Sequence, residues 1–169
     1  MNLWLLFFVL IISYIYLSYY YRYPNKVSIL QSSLNRFDLT LLQEKQPIVI
    51  EDAIKNIEDI KKAWFKWNYT RNWSEVIPEK WIKNNYKYLM IHPEEEIEVF
   101  LYPPSQPWIQ NAPDPEQTVI IIKLKPHQLV IVPYHWKWMI ETKKQINFMG
   151  IHDAITLLGI HDAITLLLP

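Results

Sequence analysis

The chain has 169 residues, balances 17 basic against 17 acidic side chains, and contains no cysteine. Zero formal charge without a basic block excludes an electrostatic footprint for nucleic acid. The lack of cysteine excludes disulfides, thiolate metal ligands and cysteine nucleophiles, and with no glycine before Gly150 there is no phosphate-cradling loop or nucleophile elbow upstream of it.

Residues 3–21 hold no charge, proline or glycine and are long enough to cross a bilayer core as a helix. Trp4 stands at one end; Tyr19, Tyr20, Tyr21 and Tyr23 stand at the other, with Arg22 among them. Rings with one polar atom settle at headgroup depth, so Trp4, Tyr19, Tyr20, Tyr21 and Arg22 read as the membrane anchor. A cleaved signal would show a basic start, a shorter apolar core and a small-residue cleavage site. Arg22 and Lys26 after the helix favour a cytoplasmic domain. Two acceptor sequons, at Asn68 and Asn72, matter only for a lumenal one.

About 150 residues then remain, enough for one domain. Residues 22–45 place Ile29, Leu30, Leu34, Phe37, Leu41 and Leu42 at near-helical spacing, a helical arm in which Asp38 can cap a final short helix. Pro47 followed by Ile48, Val49 and Ile50 predicts a strand, and a helix is expected over 52–67. Trp64, Phe65, Trp67, Tyr69, Trp73 and Trp81 are expected to fill a core. Strands are expected over 86–91 and 97–102, with an exposed acidic turn, residues 92–96, between them.

Pro103, Pro104, Pro107, Pro113 and Pro115 predict a long rigid loop. Together with Trp108, its first four prolines form a candidate protein-docking segment, because an extended rigid chain loses little entropy on binding. Residues 118–124 and 129–132 read as a hairpin about a turn at 125–128, and 136–141 as another strand. The sequence Gly-Ile-His-Asp-Ala-Ile-Thr-Leu-Leu occurs twice, at 150–158 and 159–167. Both glycines are thus expected outside the β region, with Asp153 and Asp162 as caps of short helices. Short strands at intervals of about ten residues argue for an antiparallel sandwich or barrel.

Residues 125–140, Lys-Pro-His-Gln-Leu-Val-Ile-Val-Pro-Tyr-His-Trp-Lys-Trp-Met-Ile, resemble the late barrel segment of JmjC-type cupin-like domains. Pro47 to Ile50 with Trp64 resembles that family's opening strand and tryptophan, and residues 99–104 resemble its middle strand ending in a proline pair. The resemblance implies a mainly β fold, a small cupin-like double-stranded β-helix (jelly-roll-type barrel) over 46–142 with flanking helices. The transmembrane helix (3–21) and arm (22–45) precede it, and a tail (143–169) with the duplicated nonapeptide follows.

Active members of the family hold iron through a His-x-Asp/Glu pair and a distal histidine, with 2-oxoglutarate as cosubstrate. Here Trp138 stands where the distal histidine belongs, and indole does not ligate iron. His92 and Glu94 have the pair's spelling in what reads as an exposed turn, with His135 as the substitute third ligand. The expectation is therefore a non-enzymatic chain without catalytic residues, cofactor or metal, partnered by the bilayer and by structural proteins. The alternative is a membrane-anchored Fe(II)/2-oxoglutarate dioxygenase using His92, Glu94 and His135. The anchor, the glycine-poor body and the degenerate barrel also resemble membrane-linked virion proteins of large nucleocytoplasmic DNA viruses. That implies a minor capsid component linking an internal membrane to the protein shell.

Overall fold

The computed structural model describes residues 3–24, 26–52, 57–77, 79–109, 112–153 and 156. One helix, α1 (Leu3–Tyr21), spans 19 residues. Its described side chains, those of residues 4–15 and Ser18, are all exposed. Among the described residues, no helix is long and apolar enough to cross a membrane; the side chains of Tyr16, Leu17 and residues 19–21 lie outside that set.

The expected arm over 22–45 is not one helix. It contains a short strand, β1 (Leu30–Ser32), and two 3-10 turns, Leu34–Arg36 and Leu39–Glu44. Paired serines and Asp38 offer the backbone side-chain partners that compete with helix. Asp38 does cap the second turn, accepting from the Thr40 amide. The apolar spacing read as helical instead presses Leu30, Phe37, Leu41 and Leu42 onto a sheet.

Strand β2 (Ile48–Ile50) follows Pro47 as expected, and α2 (Ile57–Trp64) is shorter than the 52–67 helix; residues 53–56 lie outside the described residues. The described residues contain ten further strands: β3 (Tyr69–Glu75), β4 (Ile82–Lys83), β5 (Tyr88–His92), β6 (Ile97–Tyr102), β7 (Trp108–Ile109), β8 (Ala112–Pro113), β9 (Ile120–Leu124), β10 (Leu129–Pro133), β11 (Lys137–Ile140) and β12 (Ile146–His152). The fold is mainly β. One sheet has the order β1-β2-β10-β5-β12-β3, a second β4-β11-β6-β9, and β7-β8 form a small ribbon. Among the described residues, only the β1–β2 pair is parallel.

The two large sheets face each other across one apolar cluster, with Leu89, Ile91, Val130, Val132 and Phe148 meeting Val99, Leu101, Leu124, Trp138 and Ile140. A second cluster lies behind the six-stranded sheet, where Ile57, Ile60 and Phe65 of the α2 region cover Ile48, Ile50, Met90, Ile131 and Met149. The central strands are therefore buried on both faces, and such strands read as unbroken apolar runs without alternation.

That double burial explains two departures from the sequence reading. Residues 118–124 and 129–132 form strands but no hairpin: β9 pairs with β6 in one sheet, while β10 lies between β2 and β5 in the other. The chain crosses between sheets through a turn in which His127 takes φ 65°. Likewise, β12 was not expected, and Gly150 lies within it, paired with Leu89 and Arg71. The first nonapeptide copy thus begins inside the sheet, while most of the repeat lies outside the described residues.

The aromatic cluster divides. Phe65 is buried and Trp64, Trp73 and Trp81 half-buried, but Trp67 is 91% exposed and Tyr69 60% exposed. Trp67 sits in the turn after α2 with the Lys66 ammonium over its ring. The proline loop, expected to be extended, folds back as the β7–β8 ribbon.

Candidate functional site

The strands give the domain two ends, and the sequence-derived candidates are split between them. The end next to α1 is built on the β10–β11 connection, where the chain crosses from one sheet to the other. His135 adopts φ 65° there, a left-handed conformation that costs energy for a residue with a Cβ. Asn84 holds it in place. Its amide donates to the carbonyls of Val132 and Pro133, both at 2.9 Å. Its backbone accepts from the His135 amide and donates to Trp136 O, and its side-chain oxygen accepts from the Tyr86 amide. At 1% exposure, Asn84 is a clip between the β4–β5 loop and this crossing.

The segment leaving α1 is stitched to the same end. The Lys45 ammonium donates to Arg22 O at 2.8 Å and lies 5.5 Å from the Tyr23 ring. Tyr23 stacks on His135, whose ring also stacks on Tyr134, and the Trp136 indole donates to Lys45 O. Lys83 and Lys137 stand directly opposite each other across β4 and β11. The Lys137 ammonium lies 4.3 Å from the Trp108 ring centroid and 5.6 Å from that of Tyr102.

These cations perturb one another. Burial, then the nearby Arg22, lowers Lys45 to about 8. Burial, then Lys83, lowers Lys137. Burial first, then Lys83 and Lys137, pushes His135 from 6.5 down to about 3, so its ring is neutral over the physiological range.

At the opposite end, His92 closes β5 and is 4% exposed, in contrast to its expected place in an exposed turn. Glu94 is exposed and accepts from the Asn147 amide at 3.2 Å. His92 and His127 stand 6.4 Å apart, ring to ring. These three line a cleft of about 680 Å³ with Asn72, Ser74 and Asn147. His135, at the other end of the strands, does not join them. Among the described residues, no group of three or more histidine, aspartate or glutamate side chains is placed to hold a metal.

Trp138 is 3% exposed between the sheets, against Phe148 and opposite Ile82. Its indole N–H is buried without a hydrogen-bond partner among the described residues and borders a smaller cavity of about 380 Å³, between β3 and β4, with Arg71, Glu75, Asn84 and His152. Asp153 accepts from the Thr156 amide, the capping contact expected of it, while Asp162 and His161 lie outside the described residues.

Among the proposed docking residues, Pro103 is buried, Pro104, Trp108 and Pro113 are half-buried, and Pro107 is exposed. Tyr102 donates its hydroxyl to Pro107 O, and Trp108 packs edge-on to Trp81 at 5.8 Å. The loop is thus tied to the four-stranded sheet at the α1 end. Of the anchor residues, Trp4 is 77% exposed and Arg22 is exposed; the side chains of Tyr19, Tyr20 and Tyr21 lie outside the described residues.

Sequence reasoning missed Asn84, Lys83 and Lys137. The Asn84-Asn85 pair after Ile82-Lys83 is a legible turn signal, but what it clips depends on the crossing partner 50 residues later. No protein-family model, curated protein or solved structure matches the chain.

Proposed function

We propose that the chain is a single-pass membrane protein whose domain is a jelly roll of the cupin-like class and works by attachment, not catalysis. The anchor reading is supported by the uncharged 19-residue helix, about 28 Å long at helical rise against about 30 Å of hydrocarbon. One observation carries the reading: the residues directly after that helix, Arg22 and Tyr23, are bonded and stacked onto the domain, so an inserted helix would hold the domain at the bilayer surface.

The jelly-roll reading is supported by strand order. Numbering β3, β4, β5, β6, β9, β10, β11 and β12 as one to eight, the sheets run 1-8-3-6 and 2-7-4-5, the pattern of two interleaved Greek keys. Attachment is favoured because the interior holds packed apolar side chains, with Trp138 among them. The dioxygenase alternative draws no support from His92, Glu94 and His135, which lie at opposite ends of the domain. A minor virion protein joining an internal membrane to a protein shell is the specific form of attachment proposed.

Alkaline extraction of membranes carrying the full chain tests the anchor. Retention in the pellet, converted to release by Leu10→Lys with Ile11→Lys, is the expected result; release of the unaltered chain would refute it.

A further inference from the structure

We infer that the end of the domain beside α1 is a lipid-facing surface that lies on anionic phospholipid headgroups. The inference rests on the anchor reading above and adds an orientation and a ligand chemistry to it. Four cationic residues, Arg22, Lys45, Lys83 and Lys137, share this end, and two half-buried indoles, Trp81 and Trp108, flank them.

Placement is the first argument. The Lys45 ammonium is 2.8 Å from the carbonyl of Arg22, the residue following the last helical position of α1. A few residues of chain span at most about 10 Å, so these cations would sit about one Debye length, roughly 8–10 Å at 0.1–0.15 M ionic strength, from the phosphates. A domain on a long linker could turn any face to the bilayer; this one is pinned at its root by Lys45, Tyr23 and His135.

Charge chemistry is the second. Lys83 and Lys137 occupy directly opposite positions across β4 and β11, with Lys137 partly desolvated against Trp108 and Tyr102. Phosphates approaching from the α1 side would be attracted to both side chains at once. Indoles beside the cations suit headgroup depth, where an apolar ring with one polar atom partitions well. The acidic turn, residues 94–96, lies at the far end of β6 from Tyr102 and the Lys137 pair, with Glu95 paired to Lys144; Glu44, Asp114 and Glu116 are the acidic side chains on the α1 side, next to Lys45 and between β8 and β9.

The cysteine-free chain allows single-site labelling. Ser105→Cys, exposed in the loop that carries Trp108, and Glu95→Cys, exposed in the β5–β6 turn, are each labelled with a polarity-sensitive fluorophore. Each full-length protein is reconstituted in vesicles of phosphatidylcholine alone or mixed with phosphatidylglycerol. Expected are a blue shift and quenching by lipid-borne nitroxide at position 105 only, only in the anionic vesicles, and reversed by 1 M salt, where the Debye length falls to about 3 Å. Lys83→Gln with Lys137→Gln should reduce the docking equilibrium roughly 25-fold, about fivefold per charge, and Lys83→Arg with Lys137→Arg should retain it. Equal spectra in the two lipids, with the chain still resistant to alkaline extraction, would overturn the lipid surface and leave the anchor standing. Release on extraction would overturn both.

Discussion

Gly150 offers a sharp test of the packing, because its place in β12 contradicts its expected place outside the β region. A Cβ added there would lie 2.8 Å from Cγ of Tyr86 and closer still to two other ring carbons, well inside the 3.5–4.0 Å of an ordinary carbon contact. The ring is stacked on Trp73 and tilted against His152, so it has little freedom to retreat. Overpacking of this kind costs about 1–3 kcal/mol, and the depth of overlap places Gly150→Ala toward the upper part, about 2.5 kcal/mol. Replacing glycine in a strand returns about 0.5–1 kcal/mol of backbone entropy, leaving a net loss of roughly 2 kcal/mol. Removing the ring with Tyr86→Ala abolishes the clash and leaves only the entropy term. In that background Gly150→Ala should stabilise by about 0.5–1 kcal/mol, a reversal of sign. Urea denaturation of the four full-length proteins in detergent, followed by tryptophan fluorescence, gives the cycle. Equal destabilisation by Gly150→Ala with and without the Tyr86 ring would refute the placement of β12 against the β4–β5 loop.

Asn84→Ala should destabilise by about 2–4 kcal/mol, since it strands two buried carbonyls and a backbone amide. Asn84→Asp should be no better, because a carboxylate cannot donate to Val132 O and Pro133 O; equilibrium unfolding measures both. His135, neutral when folded with its pKa near 3 instead of 6.5, binds fewer protons than the unfolded chain between those values. Stability therefore rises with pH across that window and levels off above it. His135→Asn, which tolerates the left-handed backbone, should flatten the slope, as read by denaturation midpoints at stepped pH. Trp138→Phe should cost less than about 1.5 kcal/mol, despite the lost volume, because it also removes an unpartnered buried N–H; a thermal melt checks this.

Where the sequence was informative, one local rule sufficed. Pro47 ahead of three β-branched residues marked β2, and the acidic run after residue 92 marked the β5–β6 turn. The β9–β10 connection shows where such rules stop. Four turn residues between two apolar runs satisfy hairpin spacing, but whether the strands pair or part depends on what covers their outer faces. Leu129, Ile131 and Met149 face a second apolar layer supplied by the arm and α2, so β10 joins the sheet able to bury both its faces. The arm misled for the same reason, its apolar spacing recording contact with a sheet and not a helical period. β12 lacked alternation because both of its faces are largely covered, leaving only Asn147 and His152 half-buried.

The candidate sites were less legible, since each depends on which end of a strand a residue occupies. Equal counts of basic and acidic side chains removed any electrostatic signal from composition, yet the fold gathers Arg22, Lys45, Lys83 and Lys137 at the α1 end, beside Glu44, Asp114 and Glu116, while at the other end Glu95 pairs with Lys144. Antiparallel pairing does this. β4 and β11 run in opposite directions, so Lys83, ending one strand, meets Lys137, beginning the other, though 53 positions of sequence lie between them. The same geometry sends His92 and His135 to opposite ends: β5 ends at His92, while β10, antiparallel to it, ends near His135 beside the start of β5. Antiparallel pairing in the two sheets therefore both disperses the residues a metal would need and gathers the cations a phosphate surface would meet.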